Sequence, residues 1–234
     1  MQSRFVDTIL LGASAFCLGY AAAHADSLIL EPGETLLPEL TATLRPARFE
    51  NAQSAVTRDF AARLREADCL TESGVVDTPS LAPAVAAYAR AHAMRILFRS
   101  HFVEKTPENG GFTVTYVSVD GLHRIGCRRV LSAPQVFDEE KKSVLRALVS
   151  DVTEEQKTKI RAAGCTVVPG FTADEWVVSL PVPDADYAAA CGYFEDFWKE
   201  RFALWNVQID VMAQATDDLI DADLGALFEA GVTA

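Results

Sequence analysis

The stretch that most constrains this chain is residues 5–32, FVDTILLGASAFCLGYAAAHADSLILEP. Residues 6–11 form a short apolar run that stops at Gly12. From 13 to 25 the chain is Ala-rich and mostly apolar, which suits a helix wedged against a sheet. Residues 27–30 are a second apolar run, and Glu31 follows at once. Strand, tight turn, helix, strand and carboxylate is an order with a chemical use. Glycine lets the backbone approach a phosphate, the helix N-terminus faces its charge, and an acid about 20 residues on accepts hydrogen bonds from ribose hydroxyls.

Gly12 to Glu31 fits the spacing of such a dinucleotide-binding βαβ unit. The glycine motif departs from G-x-G-x-x-G, because its three places hold Gly12, Ser14 and Cys17. Ser14 keeps an N–H for a phosphate but adds a Cβ at the closest approach. Cys17 is a modest enlargement at the helix–strand contact, and Gly19 comes two places late. A rival reading takes MQSR, the apolar stretch and Ala23-His24-Ala25 as a secretory leader with an A-x-A cleavage site. Asp7 interrupts that apolar region, and cleavage would orphan the strand at 27–30, so the nucleotide-binding reading is preferred.

Half of the 234 residues are hydrophobic and 23% are charged, enough for one large domain or two small ones. No apolar run reaches the ~18 residues that would cross a bilayer, so no membrane partner is expected. The net charge of −12 argues against nucleic acid, which wants a basic patch. The five cysteines are scattered without a CxxC or a Cys/His cluster, which points away from a disulfide scaffold or zinc site and towards a reduced, cytoplasmic protein.

After Glu31 comes a loop-rich segment with prolines at 32, 38 and 46, in which Thr35, Thr41, Thr43 and Arg45 are candidate ligand contacts. Residues 56–68 have helical spacing, and 70–77 is a connector with room for a short strand. A helix is expected from Thr78 as N-cap and Pro79 at the first position to about Met94. Strands are expected at 96–103, 112–119 and 123–131, joined by the PENGG and Asp120-Gly121 turns. Beyond Pro134 the pattern changes to strands at 144–149, 165–168 and 176–182 around a helix capped by Thr153 and ended by Gly164. From Asp184 an aromatic stripe, Tyr187, Cys191, Phe194, Trp198, Phe202, Trp205, Ile209 and Met212, reads as a helix of about seven turns serving core or interface. Asp217, Asp218, Asp221 and Asp223 read as a solvated acidic face rather than a metal site.

The fold class expected is therefore α/β: a Rossmann-like βαβ domain with a β-meander (1–133), an α+β segment (134–183) and C-terminal helices (184–234). Two stretches, DTILLGASAFCLGYAAAHADSLILEPGE and the later AYARAHAMRILFRSHFVEK … GFTVTYVSV … HRIGCRRVLSA, resemble the FAD-dependent oxidoreductases of the glutathione-reductase-like kind. Residues 134–183 resemble their substrate-domain sheet more loosely. The resemblance implies that Gly12, Ala13 and Ser14 approach the pyrophosphate of FAD and Glu31 its ribose. It further implies that Val103 offers its backbone to adenine; Arg45 is a candidate for phosphate or substrate. NAD(P) is the less favoured cofactor. The G-D segment that contacts the flavin in that family has only a poor counterpart here, Asp221-Ala-Asp-Leu-Gly, and no catalytic side chain can be named. Two functions follow: an FAD-binding oxidoreductase or a subunit of one, of unknown substrate, or a degenerate Rossmann-like protein acting as a binding or scaffold subunit. In either case a homo-oligomer or partner contact through the aromatic C-terminal helices is expected.

Overall fold

The computed structural model describes residues 5–108, 110–133, 143–183, 186–216 and 222–234. Strand β1 (Phe5–Leu11) runs into Gly12, whose φ of +86° lies in the left-handed region that glycine enters without steric cost. Helix α1 (Ala15–Ala23) starts on Ser14, whose Oγ accepts a hydrogen bond from the Cys17 N–H at 3.3 Å. Strand β2 (Ser27–Leu30) returns parallel to β1, with Thr8 opposite Ser27 and Leu11 opposite Leu30. Short elements follow: α2 (Pro38–Thr41), β3 (Ala47–Arg48), α3 (Ala55–Glu66), α4 (Leu81–Ala91) and β4 (Ile96–Leu97). The meander β5 (His101–Glu108), β6 (Gly111–Ser118) and β7 (Gly121–Ser132) closes the unit.

These strands form one sheet in the order β4-β2-β1-β7-β6-β5. The first four are parallel, and β6 and β5 run antiparallel to their neighbours. Side chains alternate across the pleat. Leu10 and Ile29 belong to a core built with α1, α3 and α4, Ile9, Leu28 and Leu30 alternate with them, and these three form a second cluster with Val6, Val114, Ile125 and Cys127. The α/β class, the βαβ unit and the meander are as the sequence suggests.

The single strand expected at 96–103 is two. Arg99 takes a φ of 52°, and the turn is tied down by Arg99 N–H donating to the Gly33 carbonyl and Ser100 N–H to the Glu31 carbonyl. The chain leaves that turn for the far edge of the sheet, so Val103 lies on β5, separated from β1 by β7 and β6. Helix α4 also starts later than its Thr-Pro signal suggests: Ser80 is its N-cap, and Thr78 is buried in the turn before it.

The second sheet contains β8 (Val144–Ser150), β9 (Thr166–Pro169), β10 (Glu175–Pro181) and β11 (Val211–Met212) in the order β11-β8-β10-β9, all antiparallel. Helix α5 (Glu154–Ala162) begins with a capping box in which Thr153 and Gln156 satisfy each other's backbone N–H. Helix α6 (Tyr187–Trp205) lays Ala190, Phe194, Trp198 and Trp205 into the same core. The stripe does not run on as one helix. Asn206, at a φ of 48°, ends α6 in the left-handed conformation that Asn tolerates, and Met212 pairs with Ala147 as part of β11.

A last strand, β12 (Ala222–Asp223), pairs in parallel with β3, and α7 (Leu224–Val232) crosses α1. The two helices touch through glycine: a Cβ on Gly19 would lie 2.0 Å from the Phe228 carbonyl oxygen, and one on Gly231 would lie 1.9 Å from that of Phe16. The C-terminal helices are thus shared, α6 covering the second sheet and α7 covering the first unit. Asp217, Asp218 and Asp221 lie outside the described residues; Asp223 caps α7 by accepting the Ala226 N–H at 2.9 Å.

Candidate functional site

The C-terminal ends of β1 and β2 and the first turn of α1 form the crevice where a parallel α/β sheet takes a ligand. Gly12 faces open space, with nothing within 4 Å of where a Cβ would stand. The adjoining amides are engaged by the chain's own acids. The Glu31 carboxylate accepts the Ala13 N–H through Oε2 and the Gly33 N–H through Oε1, both at 2.6 Å, and the residue is only 3% exposed. Glu39 Oε1 accepts the Ala15 N–H at 2.8 Å. Its second oxygen, Oε2, is buried with no hydrogen-bond partner. Burial raises the Glu39 pKa above the ordinary carboxyl value, assisted by the nearby charge of Glu31 and opposed by the Ala15 N–H and by Arg45.

Glu39 reaches the turn because α2 is clamped over it. Leu37 N–H donates to the Ala13 carbonyl at 2.9 Å, and Leu37 itself sits buried at a φ of 53°. For a branched side chain that conformation costs about 1–2 kcal/mol. The loop threonines do not open onto a ligand: Thr41 Oγ1 donates to the Leu36 and Leu37 carbonyls, and Thr43 Oγ1 to that of Glu39. Gly12, Ala13, Ser14 and Glu31 therefore come together, and buried Arg45 stands close enough to influence the Glu39 carboxyl. Val103 does not join them; it is 52% exposed at a register shift in the edge strand. Glu39 carries no sequence signal, because only the fold of α2 over the turn brings it to Ala15.

Cys17 follows the turn with its thiol buried, and burial pushes its pKa up to about 11. A thiol so held does not gain the thiolate character that a helix N-terminus can confer. In native protein at pH 8, a disulfide reagent such as DTNB should modify the partly exposed Cys191 first and leave Cys17 until unfolding. Mass mapping of the labelled residues checks this.

A cleft of about 460 Å³ lies between the β3 region and the second sheet. Val75, Leu148, Phe171 and Val177 give it an apolar lining, and Arg48, Glu50, Asp77, Glu175 and Asp223 give it charge. Asp223 belongs to the α7 cap and also accepts the Asn51 Nδ2–H at 2.6 Å. Arg48 pairs with Glu50 at 3.5 Å, both exposed, which contributes little to stability. None of the four histidines lies at the crevice: His24 meets the Tyr20 carbonyl, His92 Asp59 and His123 Asp120, and His101 is on β5. Among the described residues no group of three or more His, Cys, Asp or Glu could hold a metal ion, and no helix is long and apolar enough to cross a membrane.

No family model and no curated protein sequence matches the chain. Solved structures do. BexE, described in connection with oxidation during a biosynthesis, matches at a TM-score of 0.61 and 12% identity over 97% of this chain and 60% of its own. A flavoprotein/dehydrogenase from Cytophaga hutchinsonii matches at 0.53 and 11%, over 98% of this chain and 76% of its own. Aklavinone-11 hydroxylase, solved with FAD and aklavinone, matches at 0.53 and 11%, over 100% of this chain and 61% of its own. The chain thus spans about three fifths of the length of two of these three proteins. At such identities the likeness establishes the fold alone: this is the Rossmann-like α/β architecture of FAD-binding flavoproteins.

Proposed function

We propose that this chain uses the flavoprotein fold as a binding subunit and leaves flavin chemistry to other proteins. The observation that carries the reading is the Glu39 carboxyl on the Ala15 N–H, beside Glu31 on the Ala13 N–H. Those amides and the positive end of α1 are what a dinucleotide's diphosphate would need. The two negative charges of a diphosphate would have to displace Glu39 and settle next to Glu31, in a chain of net charge −12. The FAD diphosphate does not fit the turn in this conformation. What remains available for binding is the cleft between the β3 region and the second sheet, with its apolar and acidic lining.

The proposed setting is a reducing compartment, in keeping with five free cysteines. For a homo-oligomer or partner subunit, Tyr193, Phe202 and Leu204 supply exposed apolar side chains on α6. A second reading, an FAD-dependent oxidoreductase of unknown substrate, is favoured by Glu31 at the end of β2 and by the open space before Gly12. In it the bound flavin would supply the redox chemistry, while Glu31 would hold the ribose and the cleft the substrate.

Titration of the purified protein with FAD and with NADPH, followed by flavin fluorescence and visible absorption, separates the readings. The expected result is a colourless protein that shows no saturation up to about 1 mM ligand, an affinity weaker than about 4 kcal/mol. A yellow protein holding flavin in a fixed ratio sinks the binding-subunit reading and installs the oxidoreductase.

A further inference from the structure

The α1 N-terminus carries one part-buried acid whose two oxygens are unequally used: Oε1 accepts the Ala15 N–H, and Oε2 is shut off from solvent without a hydrogen-bond partner. A structural ion pair or N-cap uses its acceptor capacity. Two other acids at helix starts do so: Asp223 engages both oxygens, with the Ala226 N–H and the Asn51 Nδ2–H, and Glu229 engages both with Ser54, the N-cap of α3. Glu39 instead leaves Oε2 bare, on a short helix held by a left-handed Leu37.

We propose that Glu39 is an internal stand-in for an anionic ligand, occupying the phosphate position of the turn and closing it to nucleotides, so that its removal alone opens an anion site. This inference deepens the binding-subunit reading and rests on it. The charged and titratable groups facing Glu39 are Glu31 from the end of β2, Arg45 from the chain after α2 and Cys17 from α1. With Glu39 absent, Arg45 and the helix end remain as attractive elements and Glu31 as the repulsive one. The freed position holds at least the Ala15 N–H and the open face of Gly12. Its ligand class is a phosphate ester or diphosphate.

The test compares wild type with Glu39→Ala and Glu39→Gln, using ADP as the probe, by calorimetry at low salt. Glu39→Gln keeps an oxygen for the Ala15 N–H and fills the space, so it should stay closed. Glu39→Ala should bind ADP at least about tenfold more tightly than either, and the gain should shrink as salt rises. A folded Glu39→Ala protein, verified by circular dichroism, that binds ADP no better than a non-binding wild type overturns the stand-in while the binding-subunit reading survives. Wild type binding ADP as well as Glu39→Ala overturns both. Should Glu39→Ala fail to fold, the wild type decides through its amide NMR shifts. The Ala15 N–H should move with the titration of the Glu39 carboxyl, which lies above the usual glutamate range; an Ala15 shift indifferent to it overturns the proposal.

Discussion

Replacing Gly231 with valine is expected to strip α7 from α1 and to destabilise the protein by more than about 3 kcal/mol, the upper range for an overpacked core. The reason is backbone against backbone. A Cβ at position 231 would stand 1.9 Å from the Phe16 carbonyl oxygen and 2.8 Å from the Tyr20 nitrogen, neither of which can rotate away. The side chain's further methyls have to go somewhere in a packed crossing, so the helices must separate. Separation exposes Phe228, which is fully buried and stacks on Phe60 at 4.3 Å between ring centroids. Urea unfolding monitored by far-ultraviolet circular dichroism reads the loss. A midpoint within error of the wild type would show that α7 does not pack on α1 through these glycines.

Glu31→Ala is expected to cost on the order of 3 kcal/mol or more with no nucleotide in the solution, because hydrogen bonds to charged groups contribute roughly 1.5–3 kcal/mol each and this carboxylate accepts two. Its removal leaves the N–H groups of Ala13 and Gly33 without their acceptor and loosens the join between the glycine turn and the loop after β2. The loss belongs to the fold, so added FAD or ADP should leave it unchanged. Denaturant titrations with and without nucleotide make the measurement. A Glu31→Ala protein as stable as wild type in buffer, yet unable to gain from added nucleotide when the wild type does gain, would return Glu31 to the ligand-binding role that its spacing first suggests.

Where the sequence was legible, the signal was local. Gly12 closing one apolar run and Glu31 closing the next are neighbours along a single βαβ unit, and the structure joins them through Ala13. The Thr153–Gln156 box and the meander turns are likewise matters of a few adjacent residues. Reading failed where tertiary contacts decide. Nothing in ILFRSHFV announces that Arg99 turns left-handed, because the cause is the pair of hydrogen bonds to Glu31 and Gly33, well over 60 residues earlier; that turn sends Val103 to the far edge of the sheet. The aromatic period carries through Ile209 and Met212 although Asn206 has already ended α6. Glu39 was invisible because its role depends on Leu37 holding α2 against the turn.

The crossing of α1 by α7 also has a temporal side. α1 and its apolar surface leave the ribosome some 200 residues before the helix that crosses it is complete. Contacts of such sequence separation form late and slow the search for the native state. Until then the face of α1 that meets α7 lacks its cover, although the first sheet and α3 can already pack on the rest of the helix, a condition that favours chaperone engagement or association of unfinished chains. The second sheet, whose strands follow one another along the chain from β8 to β11, is complete before α7 is made and can fold while the first unit waits.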